Sequence, residues 1–170
     1  MGPRQPQTGA DTTVPGATTD PTISRAEQAA RDELSAYTLT HGDPGFIHQH
    51  VVDAFAAQHA TAKSSAIGVA FALIGLYLHL ARGYSGRQVQ AAHRRLAQRR
   101  RQWPAFDPPR DTGELTVIDV MRSPPGAERD RAIEDWCGSV WAAWRGSHAR
   151  VAALLGDPGL TGPDGRADGP

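Results

Sequence analysis

Residues 67–81 read Ile67-Gly68-Val69-Ala70-Phe71-Ala72-Leu73-Ile74-Gly75-Leu76-Tyr77-Leu78-His79-Leu80-Ala81, the most apolar run in the chain. The run falls short of the roughly 18 to 20 residues that a membrane span needs, and it carries a histidine near its end. It therefore predicts a buried core helix over about Ser64 to Arg82, stopped by Gly83.

Helix signals continue on both sides of this segment. Upstream, Ser24 and Glu27 have the capping-box spacing, in which each side chain satisfies an orphan backbone N–H, and predict a first helix to about Thr40. His41-Gly42 breaks it, and Asp43-Pro44 reads as an N-cap followed by proline at the first helical position, opening a second helix to about Ala60. Downstream, Ser85 and Gln88 repeat the capping box and start a fourth helix that runs to about Gln102, ahead of Trp103-Pro104.

A proline-rich loop over 103–115 follows, then a short helix over Val117 to Arg122 that Thr116 would cap. A last long helix is expected from about Ala127 to Leu155, because Ile133, Trp136, Val140, Trp144 and Val151 keep helical spacing and Trp141 widens the stripe. There is no internal repeat and no run of period two. The expected fold is an all-α, single-domain bundle of about five helices with a short extra helix, over residues 23–156. Residues 1–22 and 157–170 are rich in Pro, Gly and Thr with almost no large apolar side chains, and are expected as disordered tails.

The 170-residue length suits one domain, and the 39% hydrophobic content is ordinary for a globular one. The single Cys137 has no internal partner, and the first twenty residues lack the basic-then-apolar pattern of a signal peptide, so the cytoplasm is the expected compartment and no membrane the expected surrounding. Lys63 is the only lysine among many arginines, which suggests a GC-rich bacterial genome.

The formal net charge is zero, yet no acidic residue lies between Asp53 and Asp107. That interval holds Lys63, Arg82 and Arg87 and the basic patch Arg94, Arg95, Arg99, Arg100 and Arg101. Acids return at Asp107, Asp111, Glu114, Asp119, Glu128, Asp130, Glu134 and Asp135, so the simplest expectation is neutralisation within the chain.

Chemistry concentrates in the second helix, where His41, His48, His50 and His59 accompany Asp43, Asp53, Gln49 and Gln58. At about 100° per residue, His48 and His59 fall with Ile47, Val51, Val52, Ala54, Phe55 and Gln58 on the side expected to face the core. Gln49, His50 and Asp53 fall opposite, where His50 and Asp53 read as an i,i+3 surface pair. His48 and His59 are about 16 Å apart along the axis, too far for one coordination sphere.

A second helix must therefore contribute to any site. Ser65, Gly68, Ala72, Gly75 and His79 form a narrow, mostly small stripe on the third helix. An antiparallel hairpin brings His48 level with His79, and Tyr37 reaches a similar level from the first helix. Tyr37, His48 and His79 are the expected convergent set, with Asp53, Gln58 and His59 as further ligand or metal candidates.

Imidazoles around a divalent transition metal with an open water position would generate hydroxide near neutral pH. Neither HExxH nor an i,i+4 histidine pair is present, and buried neutral imidazoles with satisfied partners account for the same residues. Cys137 beside Trp136 reads as a small core residue.

The segment His48-x4-Asp53-Ala54-Phe55-Ala56-x-Gln58-His59, with the Gly/Leu-rich third helix and Gly83-Tyr84-Ser85-Gly86, resembles an uncharacterised bacterial family, domain of unknown function 5946. The likeness spans about residues 30 to 150 on the pattern H-x4-D-A-[YF]-A-x-Q-H. It implies no activity. Some relatives look as if they begin with a cysteine-rich, zinc-ribbon-like stretch, but this chain has no cysteine before Cys137, which excludes a structural zinc there.

Three functional classes follow. One is a buried His/Asp/Gln site for a metal or small ligand, which leaves open whether the protein is an enzyme. Another is a non-enzymatic interaction module, docking a protein partner or a second copy through the last helix or Trp103-Pro104-Ala105-Phe106. The third, disfavoured by the neutral overall charge, is nucleic-acid binding through the arginine-rich fourth helix.

Overall fold

The computed structural model describes residues 23–99 and 102–156. The expected tails, 1–22 and 157–170, and Arg100 and Arg101 of the basic patch lie outside the described residues. Among those described, seven α-helices and one short 3-10 turn make an all-α fold: α1 (Arg25–Thr40), α2 (His48–Gln58), α3 (Ala66–Arg82), α4 (Gly86–Arg99), α5 (Val117–Arg122), α6 (Ala127–Ala143) and α7 (His148–Leu155), with the turn Arg145–Ser147 between α6 and α7. None of these helices is long and apolar enough to cross a membrane.

The capping signals place most boundaries. The Ser24 hydroxyl accepts from the Glu27 N–H at 3.1 Å while Glu27 Oε2 accepts from the Ser24 N–H at 3.0 Å. Ser85 and Gln88 make the same exchange, as do Thr116 and Asp119. Ser65 caps α3 through the Gly68 N–H, and Gly83 ends it in the left-handed conformation at φ 68°, where a side chain would be strained.

α3 buries Val69, Ala70, Ala72, Leu73, Ile74, Gly75, Leu76 and Leu78, covering far more than one stripe, because α2, α4, α6 and α7 pack around it. α2 is similarly enclosed, by α1, α3, α4 and α6.

Two boundaries differ from expectation. Asp43-Pro44 does not open α2, which begins at His48. The Asp43 carboxylate accepts from the N–H groups of Gly45 (2.8 Å) and Ile47 (2.6 Å), and Phe46 takes φ 60°. By satisfying those amides in a turn, Asp43 holds residues 43–47 out of helical register.

The last helix is likewise not continuous. α6 stops at Ala143, where Gly146 and Ser147 disfavour the helical interior. The Trp141 carbonyl, left by the break, accepts from Trp144 N–H at 3.0 Å and from His148 Nε2 at 2.8 Å. His148 also stacks on Trp141 at 3.8 Å, so the kink is held by the residue that starts α7.

Candidate functional site

The four residues of the α2 motif face three sides of the fold: His48 and His59 reach α1, Gln58 the 103–115 loop and α6, and Asp53 lies against α3. The Thr38 hydroxyl of α1 donates to the Leu34 carbonyl (3.0 Å), and its one proton is then committed, so His48 Nδ1–H donates to Thr38 Oγ1 at 2.8 Å. Burial, followed by the nearby Arg31 charge, lowers the pKa of His48. At the other end of α2, His59 packs on the Phe55 ring at 4.2 Å and reaches Glu27 Oε1 of α1 at 3.4 Å.

Gln58 uses its whole amide. Nε2 donates to the carbonyls of Leu115 (2.7 Å) and Thr112 (3.2 Å), and Oε1 accepts from the buried Trp136 indole of α6 at 2.9 Å. The proline-rich loop is thereby fastened to α2 and α6 together.

Asp53 is 3% exposed. One carboxyl oxygen accepts from Gln49 Nε2 at 3.0 Å and the other has no hydrogen-bond partner. Burial raises its pKa well above the usual carboxylate value, against the smaller opposing effect of Gln49. The side chain lies against Gly75 of α3 so closely that any Cβ there would overlap it.

The expected meeting of His48 with His79 does not occur; His50 takes that place. The rings of His50 and His79 stack with centroids 3.6 Å apart and planes 18° from parallel. The wheel separated the right residues but assigned the wrong sector to solvent: His50 and Asp53 are 4% and 3% exposed, whereas Val52, expected inside, is 38% exposed. α2 is covered by α3 and α6 on the side that reads as polar.

His79 Nε2 lies 2.6 Å from Glu134 Oε2 of α6, and Nδ1 lies 3.2 Å from the Tyr84 carbonyl. Acceptors at both ring nitrogens favour the doubly protonated ring. Burial opposes that charge, but Glu134 and Tyr84 outweigh it and raise the pKa. Across the stack the order reverses: burial and then the His79 charge lower His50 to about 4. Glu134, held low chiefly by its bond to His79, was missed as a partner because 55 residues separate the two and no local pattern joins them.

Tyr37 meets neither His48 nor His79. Its hydroxyl accepts from the Gly126 N–H (2.8 Å) and points to Asp130 Oδ1 (3.5 Å), and its ring packs against Arg129 on α6 and against His41. It lines a cleft of about 350 Å³ with Thr38, His41, Asp43, Ile47 and Asp130. Two sequence candidates, Tyr37 and His48, are thus associated with one cavity, His48 through Thr38. His59, Gln58, Asp53 and His79 are held elsewhere by the contacts above.

Among the described residues, no three His, Cys, Asp or Glu side chains converge as a metal ion would require. The tryptophans expected to form a docking face are largely core: Trp136 is fully buried, Trp144 is 2% exposed and donates to the Ala57 carbonyl, and Phe106 is 6% exposed. Cys137 is fully buried, and burial raises its thiol pKa far above the reactive range.

No curated protein and no solved structure matches the chain. A family model does, over residues 13–145, which takes in α1 through α6 and the whole α2 motif, and the chain belongs to that family of unknown function, DUF5946.

Proposed function

We propose that this protein binds a small organic cation in the cleft between the C-terminal end of α1, the 42–47 turn and the start of α6. The observation that carries the reading is the lining: two carboxylates, Asp43 and Asp130, with the Tyr37 and His41 rings, while the neighbouring arginines are engaged behind it, Arg87 on the Pro44 carbonyl and Arg129 on the Tyr37 ring. The volume of about 350 Å³ suits a small ligand. Hydrogen bonds from the Ile47 and Gly45 amides keep Asp43 ionised by lowering its pKa. An ammonium or guanidinium group gains from both carboxylates. Thr38, fixed by His48, braces the cavity wall. The reading is one of binding, and it asks for no metal and no catalytic step.

Calorimetric titration of the full chain with agmatine, putrescine and choline tests it. Saturable binding of at least one, weakened tenfold or more by Asp130→Asn, supports the reading. No heat from any of the three at millimolar concentration, or affinity unchanged in Asp130→Asn, overturns it.

A further inference from the structure

We infer that the exposed face of α4 docks on duplex DNA. α3 and α4 are joined by only the three residues Gly83 to Ser85, with Gly83 left-handed and Ser85 capping the second helix. One side of α4, carrying Val89, Ala92, His93 and Leu96, is buried. The other side exposes Arg94, Arg95, Gln98 and Arg99.

The neutralisation expected from composition is not found among the described residues. Among the described residues Arg94, Arg95 and Arg99 make no ion pair or hydrogen bond, while Asp119 is held by Arg122 and Glu134 by His79. No acidic side chain occurs anywhere in residues 54–106. Arg95 and Arg99 stand at i,i+4, a like-charge spacing that costs the helix stability, with no ion pair among the described residues to offset it. An external polyanion removes that repulsion.

The composition of the face selects among polyanions. It has no exposed aromatic or large apolar residue, so it lacks the anchors of a protein interface and the stacking platform that single strands use. Arginines on a single helix about 10 to 12 Å wide match the major groove of B-form DNA, about 12 Å across, and not the deep, narrow groove of an RNA helix.

Fluorescence anisotropy with the full chain, a labelled 20-base-pair duplex, the corresponding single strand and an RNA duplex tests the inference. Three phosphate contacts predict that affinity for duplex DNA falls about 40-fold between 50 and 200 mM salt. The variant Arg94→Gln/Arg95→Gln/Arg99→Gln, exposed positions with good helix formers, should fold as judged by circular dichroism and lose most of that salt dependence. The inference fails if no anisotropy change occurs at 50 mM salt, if the triple variant binds as the parent does, or if single strands or RNA duplex bind as tightly as DNA.

Discussion

His50 and His79 stack at 3.6 Å with their pKa values shifted in opposite directions, His50 down to about 4 and His79 up. Burial lowers both rings, and Glu134, which bonds to His79 alone, reverses the direction there. Glu134→Gln should therefore lower the pKa of His79, since the carboxylate supplies the main effects that offset burial. Titration of the imidazole proton resonances by NMR reads this directly, and a His79 pKa unchanged in the variant would mean that Glu134 does not hold the charge.

Stability should fall as the solution is acidified from about pH 6.5 towards 4. His50 and His93 have folded pKa values of about 4 against 6.5 unperturbed, both chiefly through burial. Between those values the unfolded chain binds more protons, so stability rises with pH across the window and is lost on the way down. The cost at pH 5 is roughly 2 kcal/mol per ring. His79, with a raised pKa, has its contribution in place below 6.5 and loses it only as pH rises through its folded value. Asp53, also raised, opposes the histidines. Its contribution is likewise lost as pH rises through its folded value, so it gains on acidification. His93→Phe isolates one ring, because it preserves the 4.6 Å stack on Phe71 and removes the titration. Urea denaturation at several pH values should give a shallower acid-side slope for the variant; an identical slope would refute the assignment to His93.

Much of the fold can be read from local residues. The apolar run of α3 and the Ser24, Gly83, Ser85 and Thr116 caps are signals carried within a few positions, and each is found where its chemistry predicts. The site was less legible. A helical wheel gives relative angles but not which sector its neighbours cover, and α2 is enclosed, so the polar sector with His50 and Asp53 went inside while Val52 went out. Glu134 and Asp130 reach their partners from across the fold, at a sequence distance where spacing carries no information. The Asp43 turn and the Gly146 kink failed for another reason: a side chain competing for backbone amides and a single glycine each outweighed a longer helical pattern.

Gly75 is required by Asp53 rather than by helix geometry. Gly75→Ala would normally favour a helix by about 1 kcal/mol, but here the new methyl overlaps the Asp53 carboxyl, so a net loss of about 1 to 3 kcal/mol is expected. Asp53→Ala makes room for it. In a double-mutant cycle the pair should be less destabilised than the sum of the singles; strict additivity would show that the two side chains do not compete for the same space.

Gln58 should be the most sensitive of the motif residues to substitution, because it makes three hydrogen bonds that join α2 to the 103–115 loop and to α6. Gln58→Leu keeps the approximate volume but leaves the Trp136 indole N–H and the Thr112 and Leu115 carbonyls without their acceptor and donor. Each buried polar group left unpaired costs about 1 to 3 kcal/mol, so a loss near 3 kcal/mol or more is expected, with the 103–115 loop loosened first. Gln58→Glu keeps the bond from Trp136 but places a carboxylate against two carbonyl oxygens, and should be no better tolerated. Guanidinium denaturation measures the total, and hydrogen exchange at Leu115 measures the loop: its amide is held by the Ser139 hydroxyl at 3.1 Å and exchanges only when the loop lifts from α6. If Gln58→Leu leaves both stability and Leu115 exchange as in the parent, Gln58 does not fasten this loop, and a ligand-binding role for the residue regains its place.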